Sequence, residues 1–242
     1  MSAHTPMVVT ATLETGIAHA GPWGIALDGL LAAQLHDQAK ALLSAGDVAH
    51  SPVLDVVDPP VIELPLARCG TGASWHWAAT CAWPVDGHAH RPDVTYWMAR
   101  TDHRDLEQLA ACMPKTVSDH RGRYRGHHMP IMTTICTAVT WHALGDVDQV
   151  RELLVDVAAI GKKRRTGHGR VLTWTVTPAP ELTPWQAGHL HIDGTLGRPV
   201  PTACLTDHPD TLTAGVGPAG IRPPYIHPAT QQQLHLPVHP SP

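Results

Sequence analysis

The stretch IGKKRRTGHGRV, residues 160–171, sets four consecutive cations, Lys162, Lys163, Arg164 and Arg165, between Gly161 and the pair Gly167 and Gly169, with His168 and Arg170 alongside. Glycines permit positive φ and close backbone approach, so such a loop can turn N–H groups toward an anion while long cations reach phosphate oxygens. Contacts of this kind bind without sequence preference and weaken with salt. A solvated charged turn is the other reading of the same residues. A second segment, HRGRYRGHHMP (120–130), places Arg121, Arg123 and Arg125 around Tyr124 and runs on into His127 and His128. Cations interleaved with an aromatic suit a single-stranded RNA, phosphates on the cations and a base on the ring. The two segments together favour RNA over a bare turn. His168, His127 and His128 are also the groups that could serve as general acid and base in a metal-independent cleavage leaving 2′,3′-cyclic ends.

A third candidate is HLHIDG (189–194), in which His189 and His191 have the spacing of metal-dependent hydrolases and would lie on one side of a strand. Barrels that use this pair place it early in about 250 residues, and here it stands close to residue 242, so alternating surface histidines are the preferred reading. A nucleotide-binding P-loop is excluded by order: that pattern needs Gly-Lys-Ser/Thr and then a helix, whereas 160–171 follows a helix and precedes a strand. No GxSxG, HExxH or paired-carboxylate signature is present. No catalytic residue, metal ligand or cofactor is therefore assigned.

Composition narrows the classes further. Formal net charge is −4 with 19 histidines counted neutral, so overall charge decides nothing about nucleic acid. Its distribution does: 120–145 and 157–180 contain no Asp or Glu yet carry eight of the 17 Lys and Arg, enough for a local positive face. With no Phe and eight Trp, the interior is expected to be filled by Trp, Leu, Val and Ile. The five cysteines are odd in number, widely spaced and without a CxxC pair, which reads as reduced thiols in a cytoplasmic protein and not as disulfides or a structural zinc site. No charged region precedes an apolar signal, and no apolar run approaches membrane-spanning length.

The elements that must position these residues follow from periodicity. MVVTATLETGIA (7–18) alternates as a strand, and the leucines of 27–43 form a helical stripe that Gly46 ends. SWHWAATCAWP (74–84), DVTYWMA (93–99) and IMTTICTAVTW (131–141) read as strands, 102–112 as a helix, and 114–130 as irregular. GDVDQVRELLVDVAAIG (145–161) predicts a helix N-capped by Asp146 with Gln149 completing the box, its face being Val147, Val150, Leu154, Val157 and Ile160. RVLTWTVT (170–177) is an alternating strand. From 178 onward lie 13 of the 23 prolines, so 1–178 is read as one α+β domain and 179–242 as an irregular Pro-rich extension packed on it. The strand–helix opening and the later strand–helix–strand could be halves of a βαββαβ sheet.

LDGLLA, GRYRG and IGKKRRTGHGRV, in that order and on those elements, resemble the RAMP superfamily of CRISPR-associated proteins. The set is most similar to the type IV, Csf-type subunit that binds the 5′ handle of the guide RNA; RPVP (198–201) and GIRPPYIHP (220–228) resemble that group's C-terminal region. The resemblance implies a ferredoxin-like (RRM-like) core whose glycine-rich loop stands between the last helix and the last strand. It implies a non-catalytic subunit at one end of a cytoplasmic ribonucleoprotein acting in defence against foreign DNA. Its partners would be the crRNA 5′ handle, the neighbouring backbone subunit, the large subunit and, indirectly, target DNA. On this reading Lys162 to Arg165, Gly167, His168, Gly169 and Arg170 form the loop, and Arg121, Arg123, Tyr124, Arg125, His127 and His128 the second contact. Some relatives cleave the guide precursor, which keeps an endoribonuclease as the alternative and a His189/His191 hydrolase third.

Overall fold

The structure, a computed structural model, describes residues 4–19, 24–42, 59, 61–85, 93–99, 102–112, 118 and 125–238. In chain order its elements are β1 (Thr5–Leu13), β2 (Ile17–His19), α1 (Leu27–Leu42), β3 (Arg68–Cys69), β4 (His76–Trp77), β5 (Trp83–Pro84), β6 (Asp93–Ala99), α2 (His103–Cys112), β7 (His127–Thr134), β8 (Ala138–Gly145), α3 (Val147–Leu154), β9 (Val171–Pro178), α4 (Pro184–His189), α5 (Thr202–Leu205), β10 (Val216–Gly220) and β11 (Gln231–His235). The protein is thus a mixture of helices and antiparallel sheets.

The main sheet has the order β5-β8-β1-β9. β1 lies inside it, antiparallel to β8 (Val9 opposite Trp141) and to β9 (Val9 opposite Val176). Its period-two pattern decides which face is covered: Met7, Val9, Ala11 and Leu13 are buried, while Thr12 on the other face is exposed. Against the buried face pack Leu27 and Leu31 of α1 and Val150 and Leu154 of α3. Trp141 fills the centre, almost wholly buried, with its indole N–H donating to the Ile25 carbonyl at 2.9 Å. A second, three-stranded sheet runs β2-β7-β6. The end of β7 nearest β2 is buried at Ile131, Thr133 and Thr134, whereas His127 to Pro130 are exposed, as is most of β6.

Several sequence expectations change here. The expected helix 145–161 begins at its predicted N-cap, with Asp146 accepting from the amides of Asp148 and Gln149, but the Gln149 side chain donates to the Asp146 carboxylate and does not complete a capping box, and the helix stops at Leu154. Val157 and Ile160, which fit a helical stripe, are buried in extended chain instead: Ile160 N–H donates to Gly169 at 2.8 Å and Val171 N–H to Ala158 at 2.9 Å. Pairing of 158–160 with 169–171 outweighs continuing a helix through β-branched Val155 and Val157. The run 131–141 is two strands, because the chain leaves β2 at Thr134, turns through exposed Ile135, and joins β1 from Ala138. The run 74–84 is strand only in pieces, touching β8 at Ala79 opposite Ala143 and Trp83 opposite Thr140.

The stretch from 179 onward is less irregular than its prolines suggest. Thr183 and Gln186 form a reciprocal capping box with Pro184 in the first turn, which starts α4, and β10 and β11 form a hairpin. Buried Arg198 reaches back to the carbonyls of Trp77, Ala79 and Ile221, and Tyr225 donates to Asp28 at 2.6 Å.

Candidate nucleic-acid interface

The glycine-rich loop is held from both sides. Lys162 N–H donates to Ala18 at 2.6 Å, Gly169 N–H to Gly16 at 2.9 Å, and the Thr15 hydroxyl to the Gly167 carbonyl at 2.7 Å, so the β1–β2 turn is its cradle. Inside the loop a short 3-10 turn spans Arg164–Thr166, entered through Lys163 at φ 56° and left through Gly167 at φ 93°. Gly169 has φ 68° and lies so close to the Ile160 carbonyl that a Cβ would overlap it; Gly167 faces open space. The first position is therefore fixed by space and dihedral together, the second by dihedral alone.

This geometry redistributes the roles expected for the loop. The amides of Lys162, Thr166, Gly167 and Gly169 all donate to protein carbonyls, so the backbone N–H groups expected to cradle an anion are already engaged and the exposed cations are side chains. Lys162, Arg164, Arg165 and Arg170 are exposed and His168 is half-buried. Arg170 forms an ion pair with Glu14 at 3.0 Å. Lys163 has its ammonium 3.4 Å from the centre of the Trp97 ring, a cation–π contact that joins the loop to β6.

Beside Trp97 on β6 are Val94, Tyr96 and Met98, exposed to 54, 69 and 61%, and paired across the strand are Met129 and His128. Trp97 is half-exposed. The expectation that tryptophans serve the interior fails for this one: its strand lies at the edge of the second sheet, and its ring covers a lysine instead of the core. The aromatic ring set against the loop cations is accordingly on β6. Sequence reasoning had placed it at Tyr124, which lies, with Arg121 and Arg123, outside the described residues. Arg125 is exposed at the bend entering β7, and His127 and His128 are exposed at the strand's first two positions, opposite Ala99 and Met98. The signal available for β6 was the YW pair of DVTYWMA, which its β-propensity assigned to a strand without saying which face would be covered.

The pair His189 and His191 is not arranged on one side of a strand. His189 ends α4, stacked on Trp185 at 4.1 Å, and His191 lies in the turn beyond it, tilted over Trp83 at 4.6 Å. His189 faces His76 instead, Nε2 to Nε2 at 3.1 Å, and beside them the Sγ atoms of Cys69 and Cys204 are 3.8 Å apart. The cysteines, read as unrelated thiols, are here a pair. Hydrogen bonding from Cys204 holds the Cys69 thiol well below its usual range, while the same contact with Cys69 pushes Cys204 up. Burial pushes His76 down to about 4.

No helix among the described residues is long and apolar enough to cross a membrane. No curated protein matches the sequence. Residues 5–237, covering both sheets, the glycine-rich loop and the C-terminal hairpin, match the family model of CRISPR type IV associated protein Csf3, and the chain belongs to that family.

Proposed function

We propose that this subunit of a type IV CRISPR complex holds the 5′ handle of the guide RNA, caps one end of the backbone filament, and does so without cutting RNA. The observation that carries the reading is the contact of Lys163 with Trp97, which sets the loop cations and the exposed aromatic strand β6 on one surface. Lys162, Arg164 and Arg165 would take handle phosphates, and Trp97, on the face of β6 that meets the loop, would stack a base. The core that carries this surface is a ferredoxin-like RAMP fold: β1, α1, β5, β8, α3 and β9 follow the βαββαβ order, with β1 flanked by β8 and β9 and both helices on one face. Among the described residues an apolar groove of about 570 Å³ between Ala33, Ala39, Val61, Trp75 and Pro223 gives the neighbouring subunit a place to dock.

The test replaces Lys162, Arg164 and Arg165 with Ala and follows binding of a repeat-derived RNA by fluorescence anisotropy across salt. Affinity should fall, and the slope of log K against log salt should flatten by about 0.7 for each lost phosphate contact on a single strand. An unchanged slope returns the loop to a solvated turn. Incubating the wild-type chain with the same RNA without metal should leave it intact. Cutting that His168→Ala abolishes would make the chain an endoribonuclease, the reading that the half-buried His168 amid the cations favours next.

A further inference from the structure

Four side chains from four elements converge at one point away from the glycine-rich loop: Cys69 of β3, His76 of β4, His189 at the end of α4 and Cys204 in α5. Their donor atoms all lie within 4.8 Å of one another. A tetrahedral zinc with bonds of about 2.3 Å to sulfur and about 2.0 Å to nitrogen requires edges of about 3.8 Å between sulfurs, about 3.3 Å between nitrogens and about 3.5 Å between unlike atoms. The structure has 3.8 Å between the sulfurs, 3.1 Å between the nitrogens and 4.0 Å from the Cys204 sulfur to the His76 nitrogen. These three edges are within about half an ångström of the tetrahedron.

The histidines are also oriented as ligands. His189 Nδ1 stands 3.1 Å from the Trp185 carbonyl and His76 Nδ1 3.4 Å from the Ser74 carbonyl. A carbonyl only accepts, so each Nδ1 carries the proton and each Nε2 presents a lone pair. Two lone pairs therefore face each other at 3.1 Å in a buried site, which is repulsive until a cation lies between them. Backbone carbonyls holding the far nitrogen are the usual outer partners of metal-bound imidazoles.

We propose that Cys69, His76, His189 and Cys204 bind one zinc ion, a structural site that staples α4 and α5 of the C-terminal stretch to the β3–β4 hairpin. With four protein ligands the tetrahedron is closed and leaves no position for a reacting water, which separates this site from a hydrolase. It also accounts for an invisible spacing: Cys69 and His76 are local partners, His189 and Cys204 are local partners, and only the fold brings the two pairs together.

The test uses the full chain purified under reducing conditions, reconstituted with zinc sulfate and desalted. Elemental analysis should find about one zinc per chain, and X-ray absorption should count two sulfur and two nitrogen neighbours at the distances above. Cobalt in its place should give the intense visible bands of a tetrahedral thiolate site. Cys69→Ser and Cys204→Ser should lose the metal, while Cys112→Ser, on the exposed side of α2, should keep it. Should the serine variants fail to fold, the wild-type absorption and cobalt spectra still decide the matter. Metal content below about a tenth of an equivalent after reconstitution, an oxygen-dominated coordination shell, or a Cys69–Cys204 disulfide in the intact mass would each overturn the site.

Discussion

Single side chains in this protein take their roles from neighbours far away in the sequence. His191 is the clearest titrating case: burial holds it at about 4 against the pull of Asp193, and burial lowers His142 in the same direction. An unfolded histidine titrates near 6.5, so the unfolded chain takes up the proton first as the medium is acidified. The stability these histidines contribute is complete above about pH 6.5 and is lost as pH falls toward about 4, with His191 alone accounting for up to about 3 kcal/mol. Urea midpoints should therefore drop across that window. His191→Gln should flatten the drop, and a wild-type profile that is level between about pH 7 and about pH 4 would contradict it. None of this was visible in HLHIDG, where the spacing announced a shared face. The capping box of Thr183 and Gln186 instead put His189 on a helix and His191 in the turn after it.

Elements were more legible than single residues, though their ends were not. Strand β1, helix α1, strand β6 and the Asp146 start of α3 were readable from periodicity and caps, because those signals lie within a dozen residues of chain. The early stop of α3 was not readable, since it depends on Ile160 finding Gly169 as a partner across the loop. The loop supplies a prediction at this scale. Gly169→Ala meets both a positive φ and the Ile160 carbonyl, and should destabilise the chain by about 2–4 kcal/mol. Gly167→Ala meets only the dihedral, and should cost about 1 kcal/mol. Denaturant titration of both variants orders them, and equal losses would mean that the closed loop relaxes more freely than its hydrogen bonds imply.

At the scale of the molecule, Arg198 ties the C-terminal stretch to the sheet. Its guanidinium donates to carbonyls of Trp77, Ala79 and Ile221 and lies 3.7 Å from the buried Asp28 carboxylate, whose other oxygen accepts from Tyr225. Arg198→Ala should cost about 3–5 kcal/mol, because it leaves the buried Asp28 carboxyl without its counter-charge and takes a buried donor from the Trp77, Ala79 and Ile221 carbonyls. Combining it with Asp28→Asn should recover part of that loss, and a single variant as stable as wild type by urea denaturation would show that water replaces the arginine. The same long-range assembly separates what each level of description could decide. Sequence alone determined the strand and helix signals, the acid-free basic windows and the ordered motifs that resemble the family, since these are properties of neighbouring residues and of their order. The tertiary structure alone decided that Trp97 lies under Lys163 and that Cys69, His76, His189 and Cys204 share one centre. Lys163 lies far from Trp97 in the chain, as the local pair Cys69 and His76 lies far from the local pair His189 and Cys204, and no local periodicity encodes a distance that depends on how two sheets and a C-terminal stretch pack together.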